Sequence, residues 1–125
     1  MKHLTLVILL ALAPLSWGED VYYCVEELST EHVLTDSGDA YELKRFKPEK
    51  FTFKYEKSQG RLVFKGRTWA GDKPYYMDCD KCYPLAGGFN ASNAYSRFMM
   101  KDGRYNYAAA YYDAAVLNSG TCTKF

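Results

Sequence analysis

Residues 97–108 fix more of the fold than any other stretch of the chain. Arg97 to Lys101 and Arg104 to Ala108 are two β-prone runs separated by Asp102-Gly103. That dipeptide suits a two-residue type I′ turn, which requires positive φ at both central residues. Across such a turn Met100 faces Tyr105 and Phe98 faces Tyr107. These four large apolar side chains then share one side of the ribbon. Arg97, Met99, Lys101, Arg104 and Asn106 share the other. Turn chemistry and hydrophobic pattern therefore demand the same register, because a slip of one residue would turn every side chain over.

The rest of the chain reads in the same idiom. Val21 to Leu28 opens as a strand carrying Tyr22, Tyr23, Cys24 and Val25. Thr35 to Asp39 is turn chemistry, and Tyr41 to Phe46 is a second strand ended by Lys47-Pro48. Phe51, Phe53 and Tyr55 alternate with Thr52, Lys54 and Glu56, the period of a half-buried strand. Ser58-Gln59-Gly60 turns the chain and Arg61 to Lys65 returns. Tyr75 to Asp78 is a short strand, and Cys79 to Gly88 reads as an irregular loop. Residues 108–117 suit either a strand or a short helix, since Tyr107, Tyr111, Ala114 and Leu117 have helical spacing. Gly120 to Phe125 is a final strand. The expectation is a mainly β domain: an antiparallel meander of six to eight strands, closed as a small barrel or sandwich.

The amino terminus has the three parts of an export signal. Lys2 and His3 are a basic start, Leu4 to Leu12 is apolar apart from Thr5, and Ser16-Trp17-Gly18 offers small residues at a cleavage site. Residues 1–18 are read as a cleaved signal peptide and 19–125 as one domain, in the periplasm or outside the cell. The apolar run is shorter than the roughly 20 residues that span a bilayer. No other stretch of the mature chain is a candidate transmembrane helix. A carboxyl-terminal Phe125 is also found in outer-membrane barrels, but Thr121 and Thr123 break the aromatic alternation expected there.

Export shapes the reading of the four cysteines, Cys24, Cys79, Cys82 and Cys122. An even count in a short exported chain indicates disulfides. Of the three possible pairings, Cys24–Cys122 with Cys79–Cys82 is preferred, since it ties the first strand to the last and pins a tight turn. The alternative for Cys79-Asp80-Lys81-Cys82 is thiol–disulfide or metal-handling chemistry. A reactive thiol needs a cationic or helix-terminal setting, and a zinc site needs four ligands. His32 is the only histidine after the leader, which leaves little for a triad or a metal site. The acidic sets Asp36, Asp39, Glu42 and Asp78, Asp80 do not follow calcium-loop spacing. No catalytic residue, metal or cofactor is assigned.

The charges are nearly balanced, with 16 basic and 15 acidic residues, which argues against a dedicated nucleic-acid binder. Acids concentrate in Glu19–Glu42 and bases in Lys44–Arg67, a pattern expected of neighbouring strands pairing across a ladder. The anomaly is tyrosine, at 12 residues. Tyrosine couples a large apolar body to a polar tip, which suits recognition surfaces. The adjacent pairs Tyr75-Tyr76 and Tyr111-Tyr112, with Trp69 and Arg67, are the candidate ligand-binding residues. They imply a non-enzymatic binding or inhibitor-type module whose partner is a protein, a glycan or an apolar ligand.

The leader, Val21-Tyr22-Tyr23-Cys24, Arg45 to Phe51, Asp102 to Tyr107 and Gly120 to Phe125 together resemble a group of small exported proteins of Gram-negative bacteria. That resemblance covers most of the mature chain and implies a periplasmic address. The chain is also loosely similar to periplasmic lysozyme inhibitors of the small β-barrel type, through Tyr22-Tyr23-Cys24 and Cys122. The Ser-Gly-x-x-Tyr-like inhibitory segment of that family has its nearest counterpart in Ala86-Gly87-Gly88-Phe89, which lacks the serine.

Overall fold

The computed structural model describes residues 20–66 and 73–124. The proposed signal peptide, Arg67, Trp69 and Phe125 lie outside the described residues. Among the described residues nine strands follow one another: β1 Asp20–Leu34, β2 Tyr41–Arg45, β3 Lys50–Glu56, β4 Arg61–Lys65, β5 Tyr75–Tyr83, β6 Gly88–Ser92, β7 Ser96–Lys101, β8 Arg104–Ala110 and β9 Ala114–Lys124. Every pairing is antiparallel, and β1 pairs with β9 to close the sheet into a barrel. β2 and β3 both lie along the same side of β1, β2 on residues 30–34 and β3 on residues 20–25. The wall is therefore eight staves around, one of them built from two short strands. Among the described residues, no helix is long and apolar enough to cross a membrane.

The hairpin of residues 97–108 has the register its sequence demands: Met100 faces Tyr105 and Phe98 faces Tyr107. Asp102 and Gly103 take φ of 53° and 79° at the turn. At the opposite end of the barrel, Gly38 occupies a positive-φ turn position. In the same turn, hydroxyls of Ser37 and Thr35 donate to Asp39, which holds that carboxyl below the usual carboxylate range.

Alternation around the wall sends one set of side chains to the axis. Phe53, Phe64, Phe98, Leu62 and Met77 are fully buried there. Phe53 is the hub, with ring centroids 4.8 Å from Tyr22, 5.2 Å from Phe98, 5.4 Å from Phe64 and 5.6 Å from Phe89. Edge-on and offset geometries of this kind add to the gain from burial. The interior is thus filled with aromatic side chains. Arg97, Lys101, Arg104 and Asn106 all face out. This alternation is the inverse of the polar-in, apolar-out pattern of a membrane-spanning barrel.

The acidic and basic stretches do become neighbours: Glu31 faces Lys44 across the β1–β2 ladder, and β1 lies against β3. Cys24 and Cys122 face each other across β1 and β9 and are bridged. Opposite a bulge at Glu26–Leu28 lies Gly120, where a Cβ would come 2.8 Å from the Tyr105 ring and 2.9 Å from Glu26 Cα. Only glycine fits beneath that bulge.

One open alternative is decided and one expectation is corrected. Residues 108–117 form no helix: β8 runs to Ala110, Tyr111-Tyr112-Asp113 turn, and β9 begins at Ala114. Ala109 faces Val116 across that hairpin. Ladders on both sides of these strands satisfy their backbone groups and outweigh the modest helix preference of alanine. Cys79 to Gly88 is likewise not an irregular loop. β5 continues to Tyr83, a single 3-10 turn spans Pro84–Ala86, and β6 starts at Gly88. The alternation looked broken because β5 carries a bulge between Cys79 and Lys81. Phe89, the last residue of the segment set beside the inhibitory loop, is buried in the core.

Candidate functional site

The barrel has two ends. The start of β1, the turn after Glu56, the Pro84–Ala86 turn and the Asp102-Gly103 tip share one of them. The bridge between Cys79 and Cys82 sits at this mouth. In a regular strand, residues three apart point to opposite faces. Two cysteines at that spacing can bridge only if the strand is irregular. The bulge supplies the irregularity: Cys79 faces Ala91, Asp80 is passed over, and Lys81 faces Asn90. Cys79 and Cys82 then both pack against the core cluster, half-buried, with Cα atoms 5.7 Å apart. Cys79 N–H donates to the Gly60 carbonyl at 2.9 Å. Outside the wall, the carboxylate of the displaced Asp80 accepts from Ser92 Oγ at 2.9 Å and lies 3.9 Å from Arg97.

Beside the bridge, on the outer wall of β5 to β8, is a groove of about 600 Å³. Two rows of outward side chains line it. Tyr83, Gly88, Lys101 and Arg104 form one row, and Lys81, Asn90, Met99 and Asn106 the other. Gly88 leaves the first row open between Tyr83 and Lys101. Tyr83 and Met99 are 61% and 49% exposed, so the groove is apolar as well as cationic. Asn90 Oδ1 is buried in it and accepts no hydrogen bond from the described residues. Arg104 reaches Glu27 only loosely, at 3.8 Å between exposed side chains.

The other end of the barrel gathers tyrosines. Tyr75 and Tyr107 point inward from β5 and β8, and their hydroxyls meet Ser96, with Tyr75 Oη 2.8 Å from Ser96 Oγ. Ser96 is itself held by Asn93, whose Oδ1 accepts from Ser96 N–H at 2.9 Å and from Ser96 Oγ at 2.8 Å. Burial, then the neighbouring Tyr75 and Tyr111, push the Tyr107 phenol far above its ordinary range. Tyr111 is raised as well, first by burial and then by Tyr75. Its ring stacks on Tyr95 with centroids 5.8 Å apart. Tyr112 and Asp113 complete an open pocket beside this stack.

Of the proposed ligand-binding residues, Tyr75, Tyr111 and Tyr112 come together at this end. Tyr76 does not: it lies on the outer wall, with the Arg61 guanidinium 4.2 Å above its ring. Arg67 and Trp69 fall outside the described residues. The groove residues and the contributions of Tyr95, Ser96 and Tyr107 were not singled out. The outward set of the 97–108 hairpin already contained half the groove. The rest depends on the β5 bulge, which no alternation pattern reveals. The four cysteines are all bridged, and no group of three or more His, Cys, Asp or Glu side chains among the described residues is placed to hold a metal ion. In comparison with known proteins, the chain matches no protein-family model, no curated protein and no solved structure.

Proposed function

We propose that this protein is a thiol–disulfide partner that works through Cys79 and Cys82. The observation that carries this reading is the division of labour between the two bridges. Cys24–Cys122 is buried, spans 98 residues and joins the strands that close the barrel. Cys79–Cys82 spans three residues inside one strand, in a segment that pairs with β6 and is tied to Gly60 through Cys79 N–H. It closes no long loop, and it is half-exposed at a barrel mouth. Exposed bridges are more open to exchange than buried ones.

The chemistry is a two-electron exchange. A thiolate of a partner dithiol attacks one of the two Sγ atoms. The sulfur–sulfur bond breaks and its electron pair leaves on the other Sγ. The partner's second thiolate then attacks the mixed disulfide, releasing both cysteines reduced and the partner oxidised. Metal handling would first require this reduction, since a bridged cysteine offers no thiolate ligand. The leader and the resemblance to exported proteins support an exchange in the periplasm or outside the cell. The test is to trap the intermediate. With Cys82→Ser, Cys79 activated as a mixed disulfide with a chromogenic thiol should transfer to a cysteine-containing peptide faster than the same disulfide on an unfolded control. Equal rates would remove the reading.

A second reading has its own observation, the Tyr95–Tyr111 stack beside the fully exposed Tyr112. Stacked, open aromatic faces with a nearby carboxylate suit a sugar ring or a protein partner, as in an inhibitor-type binding module. Tyr111→Ala should then abolish retention on envelope polysaccharide or on lysozyme. Unchanged retention, or none with the native protein, counts against it.

A further inference from the structure

We propose that the outer-wall groove of β5 to β8 binds an extended acidic peptide, and that the Cys79–Cys82 bridge locks the strand register that forms it. This rests on the thiol–disulfide reading above and adds what the bridge controls.

The ligand class follows from the groove. Lys81, Lys101 and Arg104 set three positive charges around it, while Tyr83 and Met99 give it an apolar surface. The buried, unpartnered Asn90 Oδ1 offers an acceptor for an N–H donor. An acidic peptide supplies what each of these needs: carboxylates for the cations, and backbone N–H groups for the orphaned acceptor. A simple inorganic anion would leave Asn90 unmatched. The Glu27–Arg104 pair is exposed and loose, so a peptide carboxylate can replace Glu27.

The lock follows from strand geometry. Lys81 and Tyr83 face outward only because the bulge lies before them. Without it, Asp80 would face Asn90 and Lys81 would face Phe89, turning Lys81 and Tyr83 toward the barrel mouth, because a shift of one residue exchanges the faces of a strand. The oxidised bridge forbids that slip, since residues 79 and 82 must stay on one face. Reduction by an external dithiol leaves two cysteine thiols, turns the reductant into its disulfide and removes the constraint. The bulge is then held by the β6 ladder and by the exposed outward ties of Asp80, a hydrogen bond from Ser92 and a loose ion pair with Arg97. The oxidised protein presents the groove, and the reduced protein withdraws two of its side chains.

The probe is a synthetic hexaglutamate peptide, titrated at physiological salt into the oxidised protein and into protein whose short bridge has been reduced. Amide NMR follows both states. The oxidised form should bind, with shifts at Lys81, Asn90, Met99 and Lys101. Reduction should weaken binding by about tenfold or more, within the usual range of coupling between sites. Cross-strand contacts should move from Lys81–Asn90 to Asp80–Asn90. Lys101→Glu should abolish binding without altering the register. Absent binding, or shifts confined to other faces, overturns the site. Equal affinity in both states with an unmoved register overturns the lock. If Cys79–Cys82 resists reduction, the thiol–disulfide reading fails instead. The Cys79→Ser/Cys82→Ser double variant then opens the bridge by mutation and tests the lock alone, by the same register and affinity criteria.

Discussion

Opening each disulfide in turn, with paired serine substitutions, should cost very different amounts of stability. A cross-link stabilises chiefly by restricting the unfolded chain, with an entropy that grows as the logarithm of the loop it closes. For the Cys24–Cys122 bridge, with a sequence separation of 98, this amounts to about 4.7 kcal/mol at 25 °C. For Cys79–Cys82, with a separation of 3, the same relation gives about 1.6 kcal/mol. The order of the two values follows from loop length alone. Burial sharpens the contrast: Cys24 is fully buried, and a serine there places a hydroxyl in the core. Urea unfolding followed by tyrosine fluorescence reads both variants. With a slope of about 2 kcal/mol per molar urea, the midpoints should differ by about 1.5 M. The slope itself should rise in the Cys24→Ser/Cys122→Ser variant, since its unfolded state is no longer closed into a large loop. If the short bridge costs as much as the long one, the division of labour behind the functional reading is wrong.

Three further outcomes follow from particular residues. Gly120→Ala should destabilise the barrel by about 3 kcal/mol, the upper end for overpacking, because the new Cβ meets backbone beneath the β1 bulge; thermal unfolding checks this. Asn118→Ala should cost about 1–3 kcal/mol in urea unfolding, because Ser29 Oγ loses the buried acceptor it reaches at 2.6 Å. Tyr107 has a folded-state phenol raised by burial and by its tyrosine neighbours, so the fold binds this proton more tightly than the unfolded chain. Its contribution is complete below the ordinary phenol range and is lost as pH rises above about 10, with a slope of up to about 1.4 kcal/mol per pH unit. Tyr107→Phe should flatten the alkaline limb of the stability profile, and an unchanged limb would refute the assignment.

The parts of the fold that were legible in the sequence are those fixed by short-range chemistry. The 97–108 hairpin needed only a turn that demands positive φ and an alternation that agrees with it. The alternating Phe51, Phe53 and Tyr55 likewise announced a strand. The parts left open or misread are those whose conformation is set from outside the segment. Residues 108–117 carry alanines that favour a helix in isolation, and become a hairpin because ladders stand ready on both sides. The β5 bulge breaks the period of two at the residues that matter most, so Cys79 to Gly88 looked formless. The tyrosine end was half legible. Tyr75, Tyr111 and Tyr112 were singled out by composition and adjacency, but Ser96 and Tyr107 join them only through the order of strands around the barrel. Composition alone also could not separate Tyr76, which the same pattern placed with Tyr75 and which pairs with Arg61 on the outer wall.

The central claim is that Cys79–Cys82 is the exchanging bridge and Cys24–Cys122 the structural one. Equilibration of the native protein in dithiothreitol buffers of graded potential, followed by acid quench, alkylation and peptide mass mapping, tests it directly. The account predicts that Cys79 and Cys82 become labelled together, in a two-electron step, while Cys24 and Cys122 remain bridged in folded protein. Labelling of all four cysteines in a single step, or of Cys24 and Cys122 first, would contradict it.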